Sequence, residues 1–324
     1  MTEKYPLSTA MKSFVEQSMS FFPLTVIKQG IEAQRVAYNA MTSHFATPRP
    51  ESLIVEDESL DGIKVRYYRP LETSTRLRIL FAHGGGWYLG GLESHDNFCA
   101  NLAYDCGITL ISVAYGLAPE APYPAGIDDI TQVYQSLLKI DTSPILLMGD
   151  SAGANLMATL SHQCRSVNLP PAYGQCLIYP ALSAVGSLPS HTEMADAPLL
   201  DLDSLHFCWD LYQGLAEKWN NDSEQGVNDE QGQEPKLKEV LPPLQAKSFN
   251  GLPPTMLFAA EYDPLLDDAH SYQQVLKQAG VPVQLTMIEG LVHGGLHGFQ
   301  LTEEGRQLYR AVCAYVKEKM LEVT

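Results

Sequence analysis

The stretch Gly149-Asp150-Ser151-Ala152-Gly153 constrains this chain more than any other. It follows the apolar run Ile145-Leu146-Leu147-Met148 and precedes Ala154-Asn155-Leu156-Met157-Ala158-Thr159-Leu160, which reads as a helix. A Gly-x-Ser-x-Gly between a buried strand and a helix is the nucleophile-elbow pattern. Its serine sits on a sharp, strained turn. Side chains two residues to either side would collide with neighbouring backbone, so both positions are glycine. The turn lifts the Ser151 hydroxyl clear of a sheet. It also leaves the serine at a helix N-terminus, where unpaired N–H groups favour negative charge. Such a pentapeptide also arises by chance, so its weight depends on its strand, its helix and partners elsewhere.

The apolar runs set the architecture around it. Residues 53–56 and 64–68 flank the turn Leu60-Asp61-Gly62 and predict an antiparallel pair. Further strands are expected at 78–82, 109–114, 145–148, 175–179, 255–260 and 283–288. Several are near-continuous apolar runs, as in parallel strands covered on both faces. Helical patterns separate them at 94–105, 126–139, 151–165, 267–279 and 302–321. The alternation predicts an α/β fold with a mostly parallel sheet. The 324 residues exceed the usual single-domain length and suit an α/β core with an added lid. Residues 1–48 read as amphipathic helix, with Met11, Phe14, Val15 and Met19 at helical spacing. They serve either as a packing extension or as a lid. Residues 183–250 break the alternation: they hold a helix at 205–212 and a polar run at 220–233 that reads as a mobile surface loop. The expected division is a helical cap segment at 1–48 and a catalytic domain at 49–324 with a cap insertion at about 183–250.

Charge and cysteine usage exclude several classes of partner. The net charge is −17 and no Lys/Arg cluster is present, which argues against nucleic acid. No basic amphipathic stretch suits anionic lipid. The apolar stretch at 21–27 is too short to cross a membrane and contains Pro23. A cytoplasmic location is the default expectation. The six cysteines form no C-x-x-C pair and are expected as reduced, largely buried residues rather than zinc ligands or disulfides.

An elbow serine needs a base, an orienting acid and oxyanion donors. The acid candidate is Asp263, in Glu261-Tyr262-Asp263-Pro264-Leu265, just after a strand where ligand-facing loops emerge. Asp267 and Asp268 open the next helix and are expected to cap it. The base candidate is His293, in Gly290-Leu291-Val292-His293-Gly294, a short loop beyond the last strand. His297, in Leu296-His297-Gly298-Phe299, competes with it from further away. His44 and His162 read as ordinary surface or core residues. The oxyanion donors are expected from His83-Gly84-Gly85-Gly86-Trp87, together with the N–H of Ala152. Which two of Gly84, Gly85 and Gly86 point inward is left open. No Lys-Ser/Thr follows the glycines, which excludes a P-loop. Trp87, Phe207, Trp209 and Tyr212 are candidate pocket walls.

Together these motifs resemble the bacterial hormone-sensitive-lipase-like carboxylesterases, and most closely their acetyl esterase members. The resemblance rests on His83–Trp87, on Tyr115-Gly116-Leu117-Ala118-Pro119-Glu120 with Tyr123-Pro124-Ala125, and on Gly149–Gly153. It continues through Asp263-Pro264-Leu265-Leu266-Asp267 and Gly290–Gly294, and spans roughly residues 50–300 in the family's order. It implies an α/β-hydrolase core, an N-terminal helical cap and activity on short-chain acyl esters. It carries over Ser151, Asp263 and His293 as a triad, and Gly84, Gly85 and Gly86 with Ala152 as the oxyanion hole. The stretch 115–125 reads as structural. Two departures stand out. The Ser151-to-Asp263 spacing is longer than usual, and the family's His-Gly-Phe is split here between His293-Gly294 and His297-Gly298-Phe299.

The expected function is a carboxylesterase for acetyl to butyryl esters, acting on small molecules without metal or cofactor. An amidase or deacetylase, or a longer-chain lipase, would use the same residues. A binding protein on a retired hydrolase scaffold is the alternative of another class. It is disfavoured because such scaffolds usually lose the serine or the histidine.

Overall fold

A computed structural model describes residues 4–73, 75–166, 168–215 and 242–323. The polar run at 220–233 lies outside the described residues. Three N-terminal helices come first: α1 (Thr9–Ser20), α2 (Leu24–Lys28) and α3 (Ile31–Phe45). Strands β1 (Leu53–Leu60) and β2 (Ile63–Pro70) then pair antiparallel. Asp61 and Gly62 join them with φ of 48° and 90°, both in the left-handed region that a tight two-residue hairpin requires.

Alternation follows: β3 (Arg78–Ala82), α4 (Asp96–Cys106), β4 (Thr109–Val113), α5 (Ala125–Ile140), β5 (Ile145–Asp150), α6 (Ala152–Ser166) and β6 (Gly174–Ile178). Two helices, α7 (Pro189–Glu193) and α8 (Leu202–Tyr212), interrupt it. Then come β7 (Thr255–Tyr262), α9 (Leu266–Gln278), β8 (Val283–Val292) and α10 (Glu303–Val323). Among the described residues eight strands form one sheet, in the order β1-β2-β4-β3-β5-β6-β7-β8. The pairings β1–β2 and β2–β4 are antiparallel and all others parallel.

Period-2 alternation divides each central strand between two cores. Leu80, Ala82, Leu147, Leu177 and Leu257 face a layer with Ile127 and Ile130 of α5, Leu156 and Leu160 of α6, and Tyr272 of α9. Ile79, Phe81, Leu146, Met148 and Phe258 face the other layer, with α4, α10, and Met11 and Phe14 of α1. Every residue of β5 is buried, so the strand before the elbow has no solvent face. Strands β7 and β8 run longer than their apolar patterns suggest. The Glu261 carboxylate accepts the Gly290 N–H at 2.6 Å, and Tyr262 pairs with Val292, which extends the ladder past the end of the apolar run. The extension delivers Asp263 and His293 beyond the sheet, next to the Ser151 turn.

Candidate active site

The elbow is built as steric argument requires. Ser151 has φ of 52°, a left-handed conformation that costs a non-glycine residue about 1–3 kcal/mol. It is held by its N–H on the Ile178 carbonyl at 2.9 Å and by its own carbonyl, which accepts Asn155 N–H at 3.1 Å in the first turn of α6. A Cβ on Gly149 would come within 2.6 Å of the Gly153 carbonyl carbon, and one on Gly153 would overlap the Ala82 carbonyl oxygen. Neither glycine has room for a side chain.

Asp263, His293 and Ser151 meet in one hydrogen-bonded line. His293 Nδ1 lies 2.7 Å from Asp263 Oδ2, and His293 Nε2 lies 2.8 Å from Ser151 Oγ. Carboxylate oxygens only accept, so Nδ1 carries the proton and Nε2 is free to accept from the serine. Asp263 is fully buried, and its other oxygen accepts Leu265 N–H at 2.8 Å, which fixes the carboxylate plane. The Tyr179 ring packs 4.7 Å from the His293 ring. Tyr179 directly follows β6 with φ of 32° and was not singled out by sequence reasoning.

His297 is placed elsewhere. It sits in the 3-10 turn Gly295–Gly298, where its Nε2 lies 3.0 Å from the Tyr38 hydroxyl of α3. Burial, and secondarily His95, push its pKa down to about 3. It is therefore neutral at ordinary pH, and its Nε2 shares one hydrogen bond with the tyrosine hydroxyl.

The oxyanion loop narrows the donors. Gly84 N–H is committed to Asp150 Oδ1 at 2.8 Å, so the expectation that Gly84 donates to an oxyanion is corrected. Asp150 is 66 residues distant in sequence, and this engagement has no local signature. The N–H groups of Gly85, Gly86 and Ala152 have no hydrogen-bond partner among the described residues. Asp150 is buried, with His95 Nε2 3.2 Å from its Oδ1. Burial alone would raise its carboxyl, but His95 above all, with the Gly84 N–H among the lesser causes, holds it below the usual range. This buried cluster was also not anticipated, although Asp150 lies inside the elbow pentapeptide itself.

Aromatic residues wall one side of the loop. Trp87 stacks on Tyr212 with centroids 4.5 Å apart and meets Trp209 edge-on at 5.6 Å. Phe207 meets Tyr88 edge-on at 5.4 Å. A Cβ on Gly86 would lie 2.5 Å from the Cys208 sulfur, so α8 presses directly on the loop. All six cysteines are thiols; five are buried and Cys313 is half-buried.

Asp267 and Asp268 do not cap their own helix as expected. Asp267 accepts Ser190 N–H at 2.9 Å, and Asp268 Oδ1 accepts Leu182 and Ser183 N–H, each at 2.7 Å. Asp268 Oδ2 lies 2.9 Å from His191 Nε2. Both aspartates bind the segment 182–191 to the acid-bearing turn.

Comparison with known proteins follows the same lines. A family profile described as the α/β-hydrolase fold matches residues 79–297. The carboxylesterase NlhH of Mycobacterium tuberculosis is 36% identical over 310 residues, 91% of this chain and 91% of that protein. The ethyl acetate hydrolase of Pseudomonas putida is 31% identical over 252 residues, 75% of this chain and 74% of that one. Among solved structures, the hyperthermophilic esterase of the archaeon Pyrobaculum calidifontis superposes with a TM-score of 0.81 at 27% identity, covering 98% of this chain and 100% of that chain. With its sheet, its elbow and these relatives in agreement, the chain belongs to the hormone-sensitive-lipase-like family of α/β hydrolases.

Proposed function

We propose that the protein is a serine carboxylesterase that cleaves short-chain acyl esters, acetyl to butyryl, through an acyl-enzyme. The observation that carries this reading is the unbroken line Asp263–His293–Ser151, with 2.7 and 2.8 Å links, set beside unengaged N–H groups at Gly85, Gly86 and Ala152. Ser151 Oγ attacks the ester carbonyl while His293 Nε2 takes its proton. Asp263 holds the imidazole tautomer and stabilises the imidazolium. The carbonyl oxygen, now an oxyanion, is met by the free N–H groups, each worth about 2.7–4 kcal/mol of barrier. His293 then delivers its proton to the leaving alcohol. Water, activated by the same imidazole, attacks the acyl-enzyme, releases the carboxylic acid and restores Ser151.

The short-chain preference is supported by the aromatic wall of Trp87, Trp209 and Tyr212 and by the pressure of α8 on the oxyanion loop. The ethyl acetate hydrolase relative acts, by its name, on an acetyl ester. In the same reading, the described parts of the 1–48 segment and of the 183–250 insertion form a cap, because α3 and α8 both reach that loop. A cytoplasmic setting belongs to the reading too, supported by six cysteines standing as thiols. No helix among the described residues is long and apolar enough to cross a membrane. The test is a chain-length series of p-nitrophenyl esters, acetate to palmitate, with fluorophosphonate labelling of Ser151. Labelling with kcat/KM highest from acetate to butyrate is the expected result. A kcat/KM rising steadily to palmitate makes the enzyme a lipase, and absence of labelling removes the esterase reading.

A further inference from the structure

The oxyanion loop and the segment 115–125 share one side chain, and it comes from the N-terminal helices. Arg35 of α3 donates from Nε to the Tyr88 carbonyl and from Nη2 to the Ala118 carbonyl, both at 2.8 Å. Its guanidinium also forks onto Glu120, with Nη1–Oε1 at 2.9 Å and Nη2–Oε2 at 2.7 Å. The two loops are joined directly by Ala118 N–H on the Trp87 carbonyl at 2.9 Å. A closed ring results, in which Arg35 ties Ala118 and Glu120 of one turn to Tyr88 of the oxyanion loop. One residue earlier on α3, Gln34 accepts the Tyr88 hydroxyl at 3.1 Å.

The loop so held is one that its own backbone does not favour. Gly85, Gly86 and Trp87 have φ of 117°, 58° and 61°, and the last is a bulky residue in the left-handed region. Its internal backbone bonds are those of one turn, from Tyr88 and Leu89 N–H to the Gly85 carbonyl. Such conformations persist where the surroundings over-determine them. A guanidinium holds its donors in a rigid plane, so it fixes the spacing of the carbonyls it bridges.

We propose that Arg35 is a positioning residue for ester hydrolysis. By fixing the Tyr88 and Ala118 carbonyls it keeps the Gly85 and Gly86 N–H groups where the oxyanion forms above Ser151. This inference rests on the esterase reading of the site. It gives the N-terminal segment a task beyond covering the core, and segment 115–125 a task beyond packing. The effect runs through the two carbonyls rather than the ion pair, because Glu120 is 64% exposed and exposed pairs contribute little.

Three variants of the full chain separate these roles. Glu120→Gln breaks the charge pair and leaves both carbonyl bonds. Arg35→Lys keeps a cation beside Glu120 but replaces the rigid fork, whose Nε and Nη2 each hold one carbonyl, with a single ammonium on a flexible stem. Arg35→Ala removes everything. For each, kcat and KM are measured on p-nitrophenyl acetate. Thermal melting is followed alongside. Inhibition by an aryl trifluoromethyl ketone, whose serine adduct is a tetrahedral oxyanion, completes the set. Arg35→Lys and Arg35→Ala are expected to lower kcat about tenfold to a hundredfold, with KM nearly unchanged and ketone affinity falling in parallel. Glu120→Gln should stay within about twofold of the parent. Arg35→Lys carries the test if Arg35→Ala does not fold. Parental kcat and ketone affinity in Arg35→Lys overturn the proposal, as does a kcat loss with ketone affinity intact. An equal loss in Glu120→Gln overturns it too, by assigning the effect to the ion pair. If the parent neither hydrolyses the ester nor binds the ketone, the esterase reading itself fails and this inference with it.

Discussion

Two buried aspartate–histidine couples sit at the start of α9, five residues apart in sequence, and only one faces a serine. In the first, Asp263 holds His293 Nδ1 at 2.7 Å, and the far nitrogen meets Ser151 Oγ. In the second, Asp268 holds His191 Nε2 at 2.9 Å, and the far nitrogen, Nδ1, accepts Gly186 N–H at 2.8 Å. Aspartate burial and couple distance are nearly alike. The difference is what meets the second nitrogen. A backbone N–H uses up its lone pair and makes the couple a fastener for the segment 182–191. A hydroxyl offers it a proton to take. An Asp–His pair is therefore not a catalytic signature until the third partner is known.

The sharpest way to break the comparison is to remove that third partner. Ser151→Ala leaves Asp263–His293 resembling the fastening couple. It is expected to lower kcat on p-nitrophenyl acetate about a millionfold with far-ultraviolet circular dichroism unchanged, and His293→Ala should do nearly as much. His297→Ala, in contrast, should lose its Tyr38 bond and its packing on the His95 ring, about 1–3 kcal/mol of stability, and keep most activity. A collapse in His297→Ala alone would reassign the base.

Exchanging the aspartates comes next. Asp263→Asn should lower kcat about ten-thousandfold by disturbing the imidazole tautomer, with little change in the urea midpoint. Asp268→Ala strands the N–H groups of Leu182 and Ser183 and the His191 ring. It should cost about 3–5 kcal/mol in urea unfolding while active-site labelling of the folded fraction persists. Equal catalytic losses in the two variants would abolish the distinction.

Acid should expose a third kind of histidine, one with no buried carboxylate on its ring nitrogens. Burial, then His95, holds His83 and His297 at about 3, far below the ordinary value of 6.5. The unfolded chain thus binds more protons than the fold between pH 6.5 and 3. Their contribution is complete above pH 6.5 and is lost as pH falls through that window, on the order of a few kcal/mol each. His297→Gln should therefore lose less stability between pH 6.5 and 4 than the parent in denaturant titrations, and an unchanged slope would count against a neutral His297.

The smallest effect belongs to the pocket wall. Trp209→Ala opens the edge of the Trp87–Tyr212 stack, and hexanoate should gain on acetate about fourfold per methylene newly accommodated, near 0.8 kcal/mol each. No shift in the acetate-to-hexanoate ratio would place the acyl chain elsewhere.

What the sequence determined on its own was whatever repeats locally. The strand–elbow–helix stretch was legible because buried parallel strands are continuous apolar runs and a left-handed serine turn demands glycine two residues to either side. The hairpin at Asp61-Gly62 and the helices of the core were legible for the same reason, and the element order carried Asp263 and His293 to one end of the sheet. Tertiary structure decided every question that turned on competition for a hydrogen-bonding group. Gly84 was indistinguishable from Gly85 until Asp150 arrived at its N–H, and His297 rivalled His293 until Tyr38 did. Asp268 looked like a helix cap until the chain folded back from residue 182, and nothing near Arg35 announced the carbonyls it would bridge 53 and 83 residues away. Periodicity is a property of neighbours along the chain. A donor's partner depends on which groups burial brings within 3 Å, and the intervening sequence carries no record of that distance.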